Sequence, residues 1–158
     1  RFATLALCNL CAGDLKAKIV DEGAARPLLF LARFPDVEIQ KYAALALAGL
    51  ALGDHGDNKI RLVEEGSMGP LVDLAKFPDV GVQRCAALAM CALALGKHAA
   101  TKLAVAQENG ILPLLALISS ARDLTCVRAA MYCIGCCCES EDVKARAMEQ
   151  GALVTVLS

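Results

Sequence analysis

Cysteine is the residue type in this chain that is best suited to chemistry, because thiolates bind soft metals, form disulfides and act as nucleophiles. The chain has nine cysteines: Cys8, Cys11, Cys85, Cys91, Cys126, Cys133, Cys136, Cys137 and Cys138. Two pairs, Cys8 with Cys11 and Cys133 with Cys136, have the two-residue gap of a zinc knuckle. A zinc knuckle places that gap in a turn and adds a second gap or histidines, whereas these cysteines fall within predicted helices and both histidines lie at predicted helix ends. We therefore predict reduced cysteines that pack as small apolar residues, and no metal site.

No other residue pattern indicates an active site. No serine, cysteine or histidine lies in a recognisable catalytic motif, and the chain has no phosphate-binding glycine loop. The acidic residues cluster at predicted helix ends, where capping and solvation account for them: Asp21 and Glu22, Glu64 and Glu65, and positions 139 to 142. We therefore predict that the protein is not an enzyme and needs no cofactor.

The composition favours closely packed helices and a protein partner. Hydrophobic residues make up 57% of the chain and aromatic residues only 4%, so a core must be built from Ala, Leu, Val and Cys. A formal net charge of −1 argues against a nucleic-acid partner, which needs a basic surface. The longest uncharged runs are about twelve residues, below the roughly 18 that span a bilayer, so no direct membrane span is expected. We expect an intracellular protein, in the cytoplasm first and in the nucleus as the alternative.

One stretch of 18 residues appears twice and predicts the main structural element. DVEIQKYAALALAGLALG runs from Asp36 to Gly53 and returns as DVGVQRCAALAMCALALG from Asp79 to Gly96. The aspartate can cap a helix N-terminus, the glycine can end a helix, and the interior is rich in Ala and Leu. Each helix has two apolar stripes rather than one, which indicates contacts on more than one side, as in the inner layer of a stacked array.

The rest of the chain repeats a three-helix order around these segments. We divide it into 1–14 (third helix of a partial unit), three complete units at 15–57, 58–98 and 99–142, and 143–158 (first and second helices of a partial unit). Glycines that are predicted to close the first helices fall at Gly23, Gly66, Gly110 and Gly151, in steps of 43, 44 and 41. Units of 33 or 34 residues are excluded, and the range of about 40 to 47 fits.

These motifs resemble those of the armadillo family. They comprise Asp21-Glu22-Gly23, Pro27-Leu28-Leu29, Pro35-Asp36 and positions 43 to 51, and again Glu64-Glu65-Gly66, Pro70-Leu71-Val72, Pro78-Asp79 and positions 86 to 94. The resemblance implies an all-α fold, a right-handed α-solenoid of three-helix armadillo repeats, truncated at both ends. It also implies that the third helices line a concave groove that binds partner proteins. Uncapped ends would allow head-to-tail self-association or flanking repeats.

The resemblance places a set of aligned residues along that groove. The residues that we predict to bind the partner are Asn9, Glu38, Lys41, Tyr42, Leu45, Arg84, Leu88, Arg128 and Tyr132. Arg1, Lys41, Arg84 and Arg128 form a basic edge, and the floor has three aligned rows: Phe2, Tyr42, Cys85 and Ala129; Leu5, Leu45, Leu88 and Tyr132; Asn9, Gly49, Ala92 and Cys136. The importin-like subset of the family uses a Trp and an Asn on each third helix. This chain has no Trp, and only Asn9 keeps the Asn, which disfavours a nuclear-import-signal receptor.

The predicted groove indicates what kind of partner it fits. A floor of Leu, Ala, Gly and Cys cannot hydrogen-bond an extended peptide backbone, so we predict an amphipathic helix or apolar segment, with an acidic flank on the basic edge. The alternative is that the cations of the basic edge are merely solvated and that the floor is covered by further segments of the array itself. The predicted function is therefore a scaffold or adaptor for protein–protein interaction. The alternative is a structural repeat segment of a larger cytoskeletal, axonemal or membrane-tethered assembly.

Overall fold

The computed structural model of the protein describes residues 15–52, 56–120 and 122–150, together with the helical residues Ala6, Asn9 and Cys11. Within these ranges the secondary structure is helical, with no strand, which confirms the all-α prediction. The helices are α1 Lys16–Asp21, α2 Ala25–Ala32, α3 Val37–Ala51, α4 Gly56–Glu64, α5 Met68–Ala75, α6 Val80–Ala94, α7 Ala99–Gln107, α8 Ile111–Ser120, α9 Leu124–Cys137 and α10 Glu141–Glu149.

The helices form three layers, each of which contains one helix from every repeat. The first helices contact one another in the order α1, α4, α7 and α10, and the second helices in the order α2, α5 and α8. The third helices α3, α6 and α9 make the most extensive contacts, α3 with α6 and α6 with α9. The two matching 18-residue segments are therefore neighbours in the inner layer, as a stacked array requires.

An aspartate caps each third helix, as predicted. Asp36 Oδ1 accepts hydrogen bonds from the backbone N–H groups of Glu38 and Ile39, at 3.0 and 3.1 Å. Asp79 accepts one from Val82 N at 2.9 Å, and Asp123 accepts one from Cys126 N at 3.0 Å. These bonds satisfy amide donors that the first turn of a helix leaves without intrahelical partners, so the cap fixes where each third helix begins.

A left-handed residue ends each first helix, and here the structure corrects the glycine spacing. Gly23 and Gly66 have φ of 83° and 82°, but in the third repeat the left-handed residue is Asn109, with φ of 56°. The step is therefore 43 residues both times, and Gly110 is not the equivalent of the earlier glycines. Asparagine tolerates this conformation better than other residues that carry a Cβ. The extra residue of the third repeat falls after Asn109, where α8 has 10 residues and α2 and α5 have 8 each. Gly151 lies outside the described residues.

Two predicted unit boundaries fall inside helices. The division at 57/58 lies in the first turn of α4, which begins at Gly56, and the division at 142/143 lies in the first turn of α10, which begins at Glu141. In both helices acidic residues occupy that first turn, where the helix dipole favours negative charge. Asp57, Glu141 and Asp142 are thus part of the helix starts.

A lysine of the first helix supports the end of the third helix in each repeat. Lys16 Nζ donates to the carbonyl oxygen of Leu52 at 2.9 Å, and Lys59 Nζ donates to that of Leu95 at 2.6 Å. In the third repeat Lys102 pairs instead with the side chain of Glu139, which occupies the position of Leu52 and Leu95. A cation at a helix C-terminus satisfies free carbonyl groups and complements the helix dipole, so these lysines fix the third helix on the first.

Candidate binding groove

An apolar groove runs between the C-terminal halves of α3 and α6. Its volume is about 340 Å³, and its lining includes Leu45, Gly49, Leu52, Leu88, Cys91 and Leu95. Leu52 and Leu95 expose 48% and 36% of their surface, although leucine side chains are usually buried. These leucines follow the last turns of their helices, where the Lys16 and Lys59 contacts fix the backbone. We call this surface the apolar groove.

A second cavity lies over α9 and has charged groups at both ends. Its volume is about 620 Å³, and it is lined by Arg128, Met131, Tyr132, Gly135, Cys136 and Glu139. Tyr132 occupies the position of Leu45 and Leu88 in the aligned repeats and is 59% exposed. Glu139 pairs with Lys102. We call this surface the α9 cleft; it differs from the apolar groove because it has polar side chains.

The structure divides the predicted floor residues into two groups. Tyr42, Leu45 and Leu88 are half-buried, and Tyr132 is exposed, so these side chains can contact a guest. Among the smaller residues, Cys85, Ala92 and Ala129 are buried, although Ala92 still lines the apolar groove. Asn9 is helical and exposed. Arg1, Phe2 and Leu5 lie outside the described residues.

A glycine shows how closely the third helices approach one another. A Cβ built on Gly49 would lie 2.9 Å from the backbone oxygen of Cys11 and 3.2 Å from its carbonyl carbon. Real Cβ atoms do not approach backbone atoms so closely. Gly49 therefore has two roles, because it lines the apolar groove and also allows the close contact between α3 and the helix before it.

The basic edge is mostly neutralised, which corrects the expectation of a row of cations available to a partner. Lys41 forms an ion pair with Glu38, and this carboxylate raises the pKa of the Lys41 ammonium group. Arg84 Nη1 donates to Asp123 Oδ2 at 3.0 Å, so it links α6 to the cap of α9. Arg128 is exposed and makes no ion pair with any described residue. Arg84 thus contributes to the contact between repeats, whereas the ion pair of Lys41 lies within its own helix.

Close contacts explain why the cations turn toward the next repeat. A Cβ on Gly81, in the first turn of α6, would lie 2.9 Å from Cδ of Lys41. The Lys41 side chain therefore crosses over the start of the following third helix, close to the capping Asp79. The pKa of the Asp123 carboxyl is lowered, first by the hydrogen bond from the Cys126 amide and then by Arg84. Asp123 is thus the acidic partner of Arg84, while Asp79 lies near the Lys41 ammonium group.

The structure describes eight cysteines, of which Cys138 follows the last turn of α9 and the other seven are helical. Burial, followed by neighbouring thiols, raises the pKa of Cys91 to about 11. The hydrogen bond between Cys133 and Cys137 raises the pKa of Cys133 and lowers that of Cys137. Across the described ranges, no group of three or more His, Cys, Asp or Glu side chains is placed to hold a metal ion. Cys8 lies outside those ranges.

Sequence reasoning missed an exposed aromatic pair on the second-helix layer. The rings of Phe30 and Phe34 have centroids 6.4 Å apart and an interplanar angle of 54°, and Phe30 is 68% exposed. Phe30 aligns with Asp73 and Ala116, which are also exposed, so this position faces solvent in all three repeats. The sequence could have shown this exposure. When the second helices are aligned on their prolines, Phe30 of one repeat falls at the same position as Asp73 of the next, and an acidic residue is usually exposed.

In the described part of the chain, no single helix has both the length and the apolar composition to cross a membrane. The helices α7 and α8, bent by 77° at their junction, meet the length and composition requirement only as a pair.

Comparison with known proteins identifies similar structures but no similar sequences. No protein-family model matches the chain, and no curated protein matches it. A designed armadillo repeat protein in complex with the peptide (KR)4 has a TM-score of 0.86 and 24% identity, over 97% of this chain and 64% of the other. An engineered protein has a TM-score of 0.88 and 26% identity, over 98% of this chain and 38% of the other.

A natural protein has the same arrangement. The armadillo repeats only protein from Plasmodium falciparum has a TM-score of 0.72 and 19% identity, over 86% of this chain and 60% of the other. The chain thus spans between 38% and 64% of the length of these three solved chains.

Proposed function

Because the chain has the armadillo-repeat fold, an all-α right-handed solenoid, we propose that it is a non-catalytic scaffold that binds a segment of another protein along its third helices. The observation that supports this proposal most directly is the apolar groove. Leu52 and Leu95 are exposed at equivalent positions of two successive repeats, so their exposure follows from the architecture. An apolar surface that recurs with the repeat and has polar neighbours is typical of a binding site.

We infer that the guest is helical rather than extended. The apolar groove offers a bound segment only leucines, small residues and the Cys91 thiol, and a thiol is a weak donor. An extended guest would bury backbone N–H and C=O groups without partners, at about 1–3 kcal/mol for each. A helix satisfies those groups internally and presents apolar side chains at i, i+3, i+4 and i+7.

The charges of the groove also disfavour a basic guest. Glu38 in the first turn of α3 and Glu139 in the α9 cleft are paired with Lys41 and Lys102. A basic peptide would have to displace these lysines before it gained an ion pair. The designed neighbour that carries a (KR)4 peptide therefore supports the use of this fold for peptide binding, but not the same guest.

Selection from a random peptide library tests the proposal. We expect enriched peptides with apolar residues at helical spacing, and we expect Leu52→Ser and Leu95→Ser each to weaken a selected peptide about tenfold, because part of a buried leucine side chain is lost. Phe30→Ser is the matched control, since Phe30 is more exposed but lies on the second-helix layer, and it should leave affinity unchanged. Failure to enrich any peptide, or equal loss in the control, would contradict the proposal.

One observation favours the alternative role as a structural segment of a larger assembly. Met131 of α9 is 57% exposed, whereas the aligned Ala44 and Ala87 are fully buried against the following third helix. We propose that this face of α9 is covered by another helix, from a flanking repeat or from a second copy in head-to-tail contact. Light scattering at several concentrations distinguishes the two sources. Mass that rises with concentration and falls in Met131→Lys identifies a second copy, and a constant monomer mass rejects it.

We also propose an intracellular, cytoplasmic location. The chain has nine cysteines, several of which are buried in helices, and such a composition suits a reducing compartment. Fluorescence microscopy of the tagged full-length protein tests this location, and a secreted product would contradict it.

A further inference from the structure

We propose that the second-helix layer carries a separate docking surface, which binds an extended acidic segment of a partner protein. The surface combines cations and aromatic rings at the C-terminal ends of the second helices, and we call it the basic-aromatic row. Its members are Phe30, Arg33, Phe34, Lys76, Phe77 and Arg122. The row lies on a different layer from the apolar groove, so the two surfaces bind independently of each other.

The row recurs with the repeat. Arg33-Phe34-Pro35 follows α2 and Lys76-Phe77-Pro78 follows α5, in both cases directly before a capping aspartate. In the third repeat Arg122 stands next to the capping Asp123. Phe30 precedes Arg33 and Phe34 by three and four residues, so these side chains share one face of the chain, and the two rings are in contact.

The middle repeat shows that this surface stays open when repeats flank it on both sides. Its second helix α5 contacts α2 on one side and α8 on the other. Even so, the side chains of Lys76 and Asp73 are 55% and 79% exposed, and Phe77 is only half-buried. Asp73 aligns with Phe30, so a further repeat placed before α2 would leave Phe30 exposed as well.

The cations of the row have no close acidic partner in the fold. Arg33 and Arg122 are exposed and make no ion pair with any described residue. Lys76 Nζ lies 4.0 Å from Asp73 Oδ1 of its own helix, which is long for an ion pair. None of the three is needed to join one repeat to the next. The row therefore carries a net positive charge that carboxylates of a partner complement.

The spacing of the repeats indicates the conformation of the partner segment. Neighbouring helices pack with their axes about 8–10 Å apart, which sets the separation of Arg33 and Lys76. A polyproline II segment has three residues per turn and rises about 3.1 Å per residue, so every third side chain points the same way at about this spacing. Its backbone stays hydrated on the open outer surface. The desolvation cost that disfavours an extended guest in the apolar groove therefore does not arise here.

Acidic residues on the same outer surface favour a narrow protein segment over a membrane or a nucleic acid. Glu22, Glu64 and Glu108 are exposed at the ends of the first helices. Only the length of a second helix, 8 residues in α2 and α5 and thus about 12 Å, separates such carboxylates from the row. A broad polyanion that covers the row also meets these carboxylates, whereas a single extended chain contacts the row alone.

Fluorescence anisotropy with a labelled synthetic peptide tests the proposal. The peptide has three glutamates, at every third position, and a leucine beside the first of them. We expect it to bind the wild-type protein, and to bind Arg33→Glu/Lys76→Glu/Arg122→Glu at least about tenfold more weakly, because three attractions become repulsions.

A second triple variant is the matched control. Lys18→Glu/Lys97→Glu/Arg146→Glu reverses three exposed cations that make no ion pair with a described residue and lie outside the second-helix layer. The net charge changes equally, but salt screens these distant sites, so the affinity should stay within about twofold of wild type. Circular dichroism checks that both variants fold as the wild type does.

Two comparisons test the spacing and the aromatic contact. A peptide of the same composition with its glutamates adjacent should bind wild type about threefold more weakly or worse, because only one carboxylate reaches each cation. Phe30→Ser should weaken the spaced peptide by a similar factor, since the leucine loses its apolar contact, whereas Leu52→Ser in the apolar groove should leave its affinity unchanged.

The outcomes separate the proposal from its rivals. Weaker binding in the row variants, with the control unaffected, supports it. Equal affinity of the two triple variants overturns it, and so does a wild-type protein that fails to bind the spaced peptide at about 1 mM. Vesicles with about 30% phosphatidylserine provide the last arm, because wild type that binds them and not the peptide identifies a lipid surface instead. None of these results bears on the apolar groove, whose own test uses Leu52 and Leu95.

Discussion

Alanine substitution at two glycines of the third helices should have opposite effects on stability. Gly49 in α3 and Gly135 in α9 are both helical, so both gain about 1 kcal/mol of intrinsic helix propensity on change to alanine. At Gly135 nothing lies within 4 Å of the new Cβ. At Gly49 the new Cβ would lie 2.9 Å from the backbone oxygen of Cys11. A backbone oxygen cannot rotate away as a side-chain end can, so the two helices must move apart.

The cost of overpacking, compared with the gain in helix propensity, decides whether each variant is more or less stable than the wild type. Overpacking of a tight contact costs about 1–3 kcal/mol, against the gain of about 1 kcal/mol in propensity. Gly49→Ala should therefore lose between about 0 and 2 kcal/mol of unfolding free energy, whereas Gly135→Ala should gain about 1 kcal/mol. For a chain of this size, 1 kcal/mol shifts Tm by about 2–4 °C. The Tm of Gly135→Ala should thus exceed that of Gly49→Ala by several degrees.

Thermal and urea unfolding followed by circular dichroism measure the difference. The two variants are compared by their midpoints, because repeat arrays can unfold in more than one step. If Gly49→Ala stabilises the protein as much as Gly135→Ala does, the close approach of the third helices at Gly49 is refuted. Position 49 would then not be a close contact between repeats.

Three further predictions follow from the caps and the thiols. Asn109→Ala should lower the unfolding free energy by about 1 kcal/mol relative to Asn109→Gly, because only glycine accepts the positive φ without strain and both changes remove the same side chain. Acidification should remove a stabilising contribution of Asp123, whose carboxyl pKa is held low by the amide of Cys126 and by Arg84; it is present above the unfolded pKa of about 3.9 and lost as pH falls through the lower folded value. Stability measured against pH should therefore fall less steeply below that point in Asp123→Asn, and an unchanged slope would contradict the assignment. Cys91, with its pKa raised to about 11, should react with iodoacetamide near pH 8 far more slowly than a free thiol does, by peptide mapping; equal rates would contradict its burial.

Local signals explain why the repeat could be predicted from the sequence. Asp36, Asp79 and Asp123 each act within three residues of themselves, so the capping geometry needs no knowledge of the rest of the fold. Likewise, two apolar stripes on one helix require two neighbours, which indicates an inner layer. The layer of each helix, the helix order and the repeat length could therefore be predicted from the sequence.

Contacts between repeats could not be predicted from the sequence in the same way. Arg84 and Asp123 are 39 residues apart, and the sequence that predicts a cation beside the groove does not predict that an aspartate of the next repeat reaches it. The left-handed residue at Asn109 was missed because a glycine follows it directly, and glycine is the commoner choice. Both misses concern the register between neighbours, which depends on how repeats stack rather than on any one helix.

The stacking contacts bear directly on specificity. Arg84 pairs with the capping aspartate of the next repeat and is therefore a poor candidate for selectivity, whereas Lys41 pairs with Glu38 of its own helix. Selectivity is then expected from accessible positions that differ between repeats while the backbone stays the same. Two rows that line the groove and the α9 cleft are of this kind: Leu45, Leu88 and Tyr132, and Leu52, Leu95 and Glu139. Leu45 and Leu88 are half-buried and the other four are exposed. Both rows change from apolar to polar between α6 and α9, so the groove surface itself differs between neighbouring repeats.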